Sequence, residues 1–118
     1  MPHLVFEYTA NLQPEPEWQL MLQECHQFLA TTGEWDLADI KSRVYKTEIF
    51  LQGDKPEKAH ITLTLQMLDG RSDELKAKVA KALGKIIERY VDTACVHTMT
   101  NITVQCVDIH RASYYKRA

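Results

Sequence analysis

Proline stands second in this 118-residue chain, directly behind Met1. Bacterial methionine aminopeptidase removes the first methionine when the next residue is small, and proline qualifies, so the processed chain is expected to begin with the secondary amine of Pro2. An α-amino group ordinarily titrates near ~7.7–8.0, and burial in an apolar pocket or a neighbouring positive charge lowers that value by disfavouring the ammonium form. An amine left unprotonated at neutral pH is a base, and the pyrrolidine ring fixes the direction of its lone pair. The chemistry open to Pro2 is therefore proton transfer. Taken alone, a Met-Pro start is common, and a proline at the head of a strand is tolerated because its missing N–H costs little there.

Three cations could serve such a base. Arg71 lies in Gly70-Arg71-Ser72, between a strand and the start of a helix. Backbone N–H groups and the helix dipole favour an anion at such a place, and a guanidinium can hold a carboxylate in a two-pronged grip. In Ile40-Lys41-Ser42-Arg43-Val44, Lys41 and Arg43 are two apart, so in a strand both point to one side. Each of these cations by itself more often means a solvated charge. Cys95, His97, Cys106 and His110 offer soft and imidazole ligands, but their spacing follows no familiar zinc pattern and Cys106 falls on an apolar stripe, so no metal is expected.

The elements that must position these residues follow from periodicity. Leu4, Phe6 and Tyr8 alternate with His3, Val5 and Glu7, as in a strand beginning at or just after Pro2. Beyond the Pro14-Glu15-Pro16 loop, Trp18, Met21, Leu22, Cys25, Phe28 and Leu29 mark one buried helix face, with Pro16 placed in its first turn and Gly33 at its end. A second strand is predicted from about Ile40 to Leu51. After the Gly53–Pro56 turn, Ile61, Leu63, Leu65 and Met67 alternate with Thr62, Thr64 and Gln66. Ser72 with Asp73 and Glu74 starts a second helix, whose stripe is Leu75, Val79, Leu83, Ile86, Ile87, Tyr90 and Val91. Gly84 inside it suggests close packing. Ile102, Val104 and Cys106 give a last strand, from which Tyr114-Tyr115-Lys116 trails away.

Strand, helix, strand thus occurs twice, in halves of about 1–57 and 58–118 of one domain spanning 1–118. Each helical crossover makes its two strands parallel. Joined, the halves predict an α/β (α+β) fold: a four-stranded mixed sheet with two helices on one face. Aromatic and thiol residues on several strands suggest that neighbouring subunits cover the other face.

Composition removes several function classes. A formal net charge of −2 argues against a nucleic-acid binder, which needs a basic surface. No long apolar run points to a membrane span, and the first residues lack the regions of a signal peptide. The chain reads as cytoplasmic, with its three cysteines as packed free thiols.

Three stretches carry a resemblance. "PHLVFEYTANL" at the start, "TTGEW" before "IKSRVY", and "GRSDELKAKVAKAL" opening the second helix resemble the 5-carboxymethyl-2-hydroxymuconate Δ-isomerases of the tautomerase superfamily, over nearly the whole chain. The resemblance implies a tautomerase-like tandem β-α-β repeat, a homotrimer with sheets facing inward, no cofactor or metal, and a role in bacterial breakdown of homoprotocatechuate, in 4-hydroxyphenylacetate degradation. It also implies Pro2 as catalytic base and Arg71 as a substrate-binding residue. Lys41 stands where the family usually has arginine, and Arg43 matches the next family arginine. Lysine keeps the charge and loses the planar fork.

The mechanism so implied is a proton shuttle on a carboxylate dienol. Pro2 takes the enol hydroxyl proton of 5-carboxymethyl-2-hydroxymuconate and returns a proton to carbon, giving the 2-oxo isomer, while Arg71, Lys41 and Arg43 hold carboxylates and stabilise negative charge. Two other readings stand beside it: a tautomerase of a different 2-hydroxymuconate-like or keto-enol acid, and a non-catalytic ferredoxin-like module that binds a small molecule.

Overall fold

The computed structural model describes residues 2–95 and 99–117. Their order is β1 (His3–Thr9), α1 (Trp18–Thr31), a 3-10 turn (Leu37–Asp39), β2 (Lys41–Thr47), β3 (Ala59–Leu68), α2 (Asp73–Ala94), β4 (Thr100–Ile109) and a second 3-10 turn (Arg111–Ser113). The sheet runs β2-β1-β3-β4, with β1 and β2 parallel, β3 and β4 parallel, and β1 antiparallel to β3. The two β-α-β units therefore meet through their first strands.

Side-chain alternation separates two faces. Leu4, Phe6, Ile61, Leu63, Leu65 and Met67 are fully buried beneath the helices, together with Met21, Cys25 and Leu29 of α1 and Val79, Leu83 and Ile87 of α2. Burying a leucine or phenylalanine contributes about 1.5–3 kcal/mol, so this layer dominates the stability of the domain. The register puts His3, Val5, Glu7, Lys41, Arg43, Tyr45, Thr62, Thr64 and Gln66 together on the other, open face. There Thr62 bonds Thr103 at 3.1 Å and Gln105 donates to Thr64 at 3.0 Å, so much of the open face is polar.

Several expectations need correction. Pro16 lies ahead of α1, which begins at Trp18 after a Glu17 cap that makes no side-chain bond. The second strand stops at Thr47, and Ile49 beyond it is 94% exposed. The thiols lie on the helix side, where Cys106 Sγ is 3.6 Å from the Lys76 carbonyl of α2 and burial pushes the Cys25 thiol up to about 12. They give no reason to cover the open face. A Cβ at Gly84 would meet Val104 at 3.7 Å, an ordinary contact, so the packing there does not demand glycine.

Candidate functional site

At one end of the sheet β1 and β2 begin while β3 and β4 finish. Pro2 is buried there, and its carbonyl accepts the Lys41 N–H at 3.1 Å. Pairing of His3 with Lys41 and of Val5 with Arg43 then sets both β2 cations on the open face beside the start of β1. Both are exposed, and among the described residues neither forms an ion pair. Two unpaired cations two residues apart on a flat face suit an acid with more than one carboxylate.

Arg71 reaches the same end of the sheet in a different condition. The turn that carries it needs Gly70 at φ 104°, a left-handed conformation that a side chain would strain. Its Nε lies 3.4 Å from Glu34 Oε1, and its guanidinium sits 5.3 Å from the centroid of the buried Trp35 ring. Among the described residues no hydrogen bond or ion pair joins Arg71 to Pro2, Lys41 or Arg43. The register thus puts Lys41 and Arg43 on one face, with the Pro2 carbonyl bonded to the Lys41 backbone, while Arg71 is held by the segment that follows α1. The start of α2 is also taken: the Ser72 side chain accepts the Leu75 N–H at 3.1 Å, and Asp73 and Glu74 occupy the first turn. The helix supplies its own anions there.

The chain beyond β4 folds back instead of trailing away. Arg111 donates to the Asp69 carbonyl at 2.8 Å, Tyr114 bonds His3 Nε2 through its hydroxyl at 3.0 Å, and Lys116 donates to Asp39 at 2.9 Å. The segment Arg111–Lys116 therefore crosses from the β4 side of the sheet to the residues ahead of β2. Burial lowers the His3 pKa below its usual 6.5, and the neighbouring Lys41 and Arg43 charges act in the same direction. Hydrogen bonding to Lys116 holds the Asp39 carboxyl below its usual range.

The remaining candidates serve structure. His60 opens β3 at the opposite end of the sheet, with its ring edge-on to Phe50, so it does not approach Pro2. His26 is half-buried on α1, with its Nε2 2.8 Å from Ser42 Oγ of β2. Trp18 is half-buried and packs against Phe6 and Tyr8 of the core, on the helix face expected for it. His97 lies outside the described residues, Cys95 Sγ donates to the Pro14 carbonyl at 2.8 Å, and His110 bonds Ser113 at 3.1 Å. Among the described residues no group of three or more His, Cys, Asp and Glu is arranged to hold a metal ion. A cavity of about 170 Å³ lies near this end, lined by Gly33, Glu34, Trp35, Asp36 and Asp39. Two of its three carboxylates, Glu34 and Asp39, are already paired with Arg71 and Lys116.

Comparison with known proteins fixes the family. The sequence profile described as 5-carboxymethyl-2-hydroxymuconate isomerase matches residues 2–118. The chain belongs to this family. It is an isomerase by that membership, and a 5-carboxymethyl-2-hydroxymuconate Delta-isomerase from Escherichia coli is similar to it, 24% identical over 118 residues that cover 99% of this chain and 94% of the relative. The crystal structure of a 5-carboxymethyl-2-hydroxymuconate isomerase from Deinococcus radiodurans R1 superposes with a TM-score of 0.86 at 26% identity, over 98% of this chain and 88% of that one. A fused 4-OT symmetric trimer matches with a TM-score of 0.66 at 17% identity, over 93% and 87% of the two chains. This isomerase-family chain therefore has the tautomerase fold.

Among the described residues, sequence reasoning missed Glu34 and Tyr114 as partners of the site. Their contacts join positions 37 and 111 residues apart, and no local spacing encodes them.

Proposed function

We propose that the protein isomerises 5-carboxymethyl-2-hydroxymuconate to its 2-oxo isomer, with the Pro2 nitrogen as base once Met1 is removed. The observation that supports this is the bond from the Lys41 N–H to the carbonyl of the buried Pro2, at the start of the strand that carries Lys41 and Arg43 on one face. Positive charge near the amine favours its neutral form, and the same charge attracts a substrate bearing several carboxylates. The amine takes the enol hydroxyl proton and delivers a proton to a carbon further along the conjugated chain. The electron pair of the O–H bond becomes the new carbonyl, the double bonds shift by one position, and no net charge is gained or lost. Lys41 and Arg43 hold carboxylates and offset the negative charge that builds on oxygen, and Arg71 joins them by exchanging Glu34 for a substrate carboxylate.

The setting proposed with it is cytoplasmic degradation of homoprotocatechuate, by a homotrimer that needs no cofactor. The trimer finds support in the fused 4-OT symmetric trimer of the same fold. Tautomerisation of another keto-enol acid remains the second reading, favoured by Lys41, whose ammonium cannot reproduce the fork of an arginine.

Mass spectrometry of the purified protein and a dienol-loss assay test this together. The expected outcome is a mass lacking Met1 and turnover of 5-carboxymethyl-2-hydroxymuconate well above that of 2-hydroxymuconate and phenylenolpyruvate. Loss of activity of 10²-fold or more in Pro2→Ala is expected for removal of a general base. A retained Met1 with full activity overturns the role of Pro2; equal turnover of all three dienols overturns the substrate and favours the second reading.

A further inference from the structure

The segment Arg111–Lys116 is fastened at three points along its length, to Asp69, His3 and Asp39. The middle contact is the one made to a residue of the open face, His3. Tyr114 meets the His3 ring edge-on, with centroids 6.2 Å apart, while its hydroxyl is 3.0 Å from Nε2. His3 is next to Pro2 in the chain and shares the open face with Lys41, Arg43 and Gln66. Among the described residues the charged side chains that act on His3 are the two β2 cations, while Lys116 and Asp39 are occupied by one another. Two cations fix carboxylates but do not distinguish an acid with a 2-oxygen from one without it. A neutral imidazole and a phenol held at hydrogen-bond distance can make that distinction, because an uncharged oxygen pairs with either of them.

We propose that Tyr114 is a specificity-determining residue of this site, holding His3 as the uncharged wall that receives the 2-oxygen of a conjugated acid while Lys41 and Arg43 take its carboxylates. The assignment rests on the proton-transfer reading for its ligand class, yet its test needs no turnover. Position 114 then selects 2-hydroxy and 2-oxo acids over plain dicarboxylates of the same length.

Binding of 2-oxoadipate and adipate to the full-length protein, measured by calorimetry, reads this directly. One neutral hydrogen bond corresponds to about a fivefold preference, so the wild type is expected to bind 2-oxoadipate about fivefold more tightly. Tyr114→Phe keeps the ring and is expected to erase the preference while leaving adipate affinity unchanged. His3→Gln, which keeps a polar group at the wall but breaks the phenol-imidazole pair, is expected to erase it too. Equal binding of the two acids by the wild type overturns the proposal. So does a Tyr114→Phe protein that keeps the preference, or one that loses affinity for both acids alike, since that marks a purely structural strap. Activity of Pro2→Ala, measured separately, decides the proton-transfer reading, so the two can fail independently.

Discussion

Arg71 Nε lies 3.4 Å from Glu34 Oε1, with the Trp35 ring beneath the guanidinium at 5.3 Å. The protein itself thus supplies the carboxylate that an incoming acid would offer. Partly exposed ion pairs of this kind are worth about 0.2–1 kcal/mol, too little to withhold the arginine from a substrate but enough to compete with it. Glu34→Gln is expected to lower KM for a carboxylate dienol by about two- to fivefold at nearly constant kcat, and Arg71→Ala to raise it. Steady-state kinetics check this. A higher KM in Glu34→Gln would show that Glu34 orients Arg71 for the substrate instead of competing.

Lys41→Arg restores the planar fork on the open face. The variant is expected to gain kcat/KM on 5-carboxymethyl-2-hydroxymuconate by a few-fold while leaving the monocarboxylate phenylenolpyruvate unchanged, because only a carboxylate in reach of position 41 benefits from a bidentate grip. A parallel gain on both substrates would place the effect elsewhere than in a carboxylate contact.

Acid should loosen the fold before any carboxylate titrates. Burial lowers the pKa of both His3 and His26 below the usual 6.5. Between the lowered folded values and that unfolded value the unfolded chain binds more protons, so stability is present above pH 6.5 and declines as pH falls through it towards the folded values. The midpoint of urea unfolding is expected to decrease from pH 7.5 to 5.5, with a shallower slope in His26→Gln. A midpoint independent of pH in this window would contradict the burial of both rings.

Ser72→Ala removes the acceptor for the Leu75 N–H and leaves one end of α2 open. A loss of about 1 kcal/mol is expected, or roughly 4 °C in Tm for a domain of this size. Thermal melting followed by circular dichroism checks it. An unchanged Tm would mean that water satisfies the freed N–H at no cost.

Most of the fold was legible because its elements announce themselves locally. The alternation around Leu4, Phe6 and Tyr8, the stripes of both helices and the Ser72 cap each occupy a short window whose period decides the element. Helical crossovers then left little freedom in the topology. The second strand was overextended because Ile49, Phe50 and Leu51 have strand-like side chains while their backbone has already left the sheet, a difference that propensity does not register.

The site was only half legible. Lys41 and Arg43 could be placed together because strand spacing is strict, and the backbone bond between Pro2 and Lys41 follows from pairing of adjacent strands. Arg71 could be located but not its Glu34 partner, and the Tyr114 contact with His3 could not be anticipated at all. Such contacts arise where irregular segments return to the sheet, and their geometry is set by the whole fold, not by any window of sequence.

Pro2 is tied to Lys41 and Lys116 to Asp39, so positions 2 and 116 converge on a single corner. Anything fused ahead of the first or beyond the second, whether an affinity handle or a fluorescent reporter, would crowd that corner. The Gly53 turn between β2 and β3 lies at the far end of the sheet and is the sounder place to attach a probe.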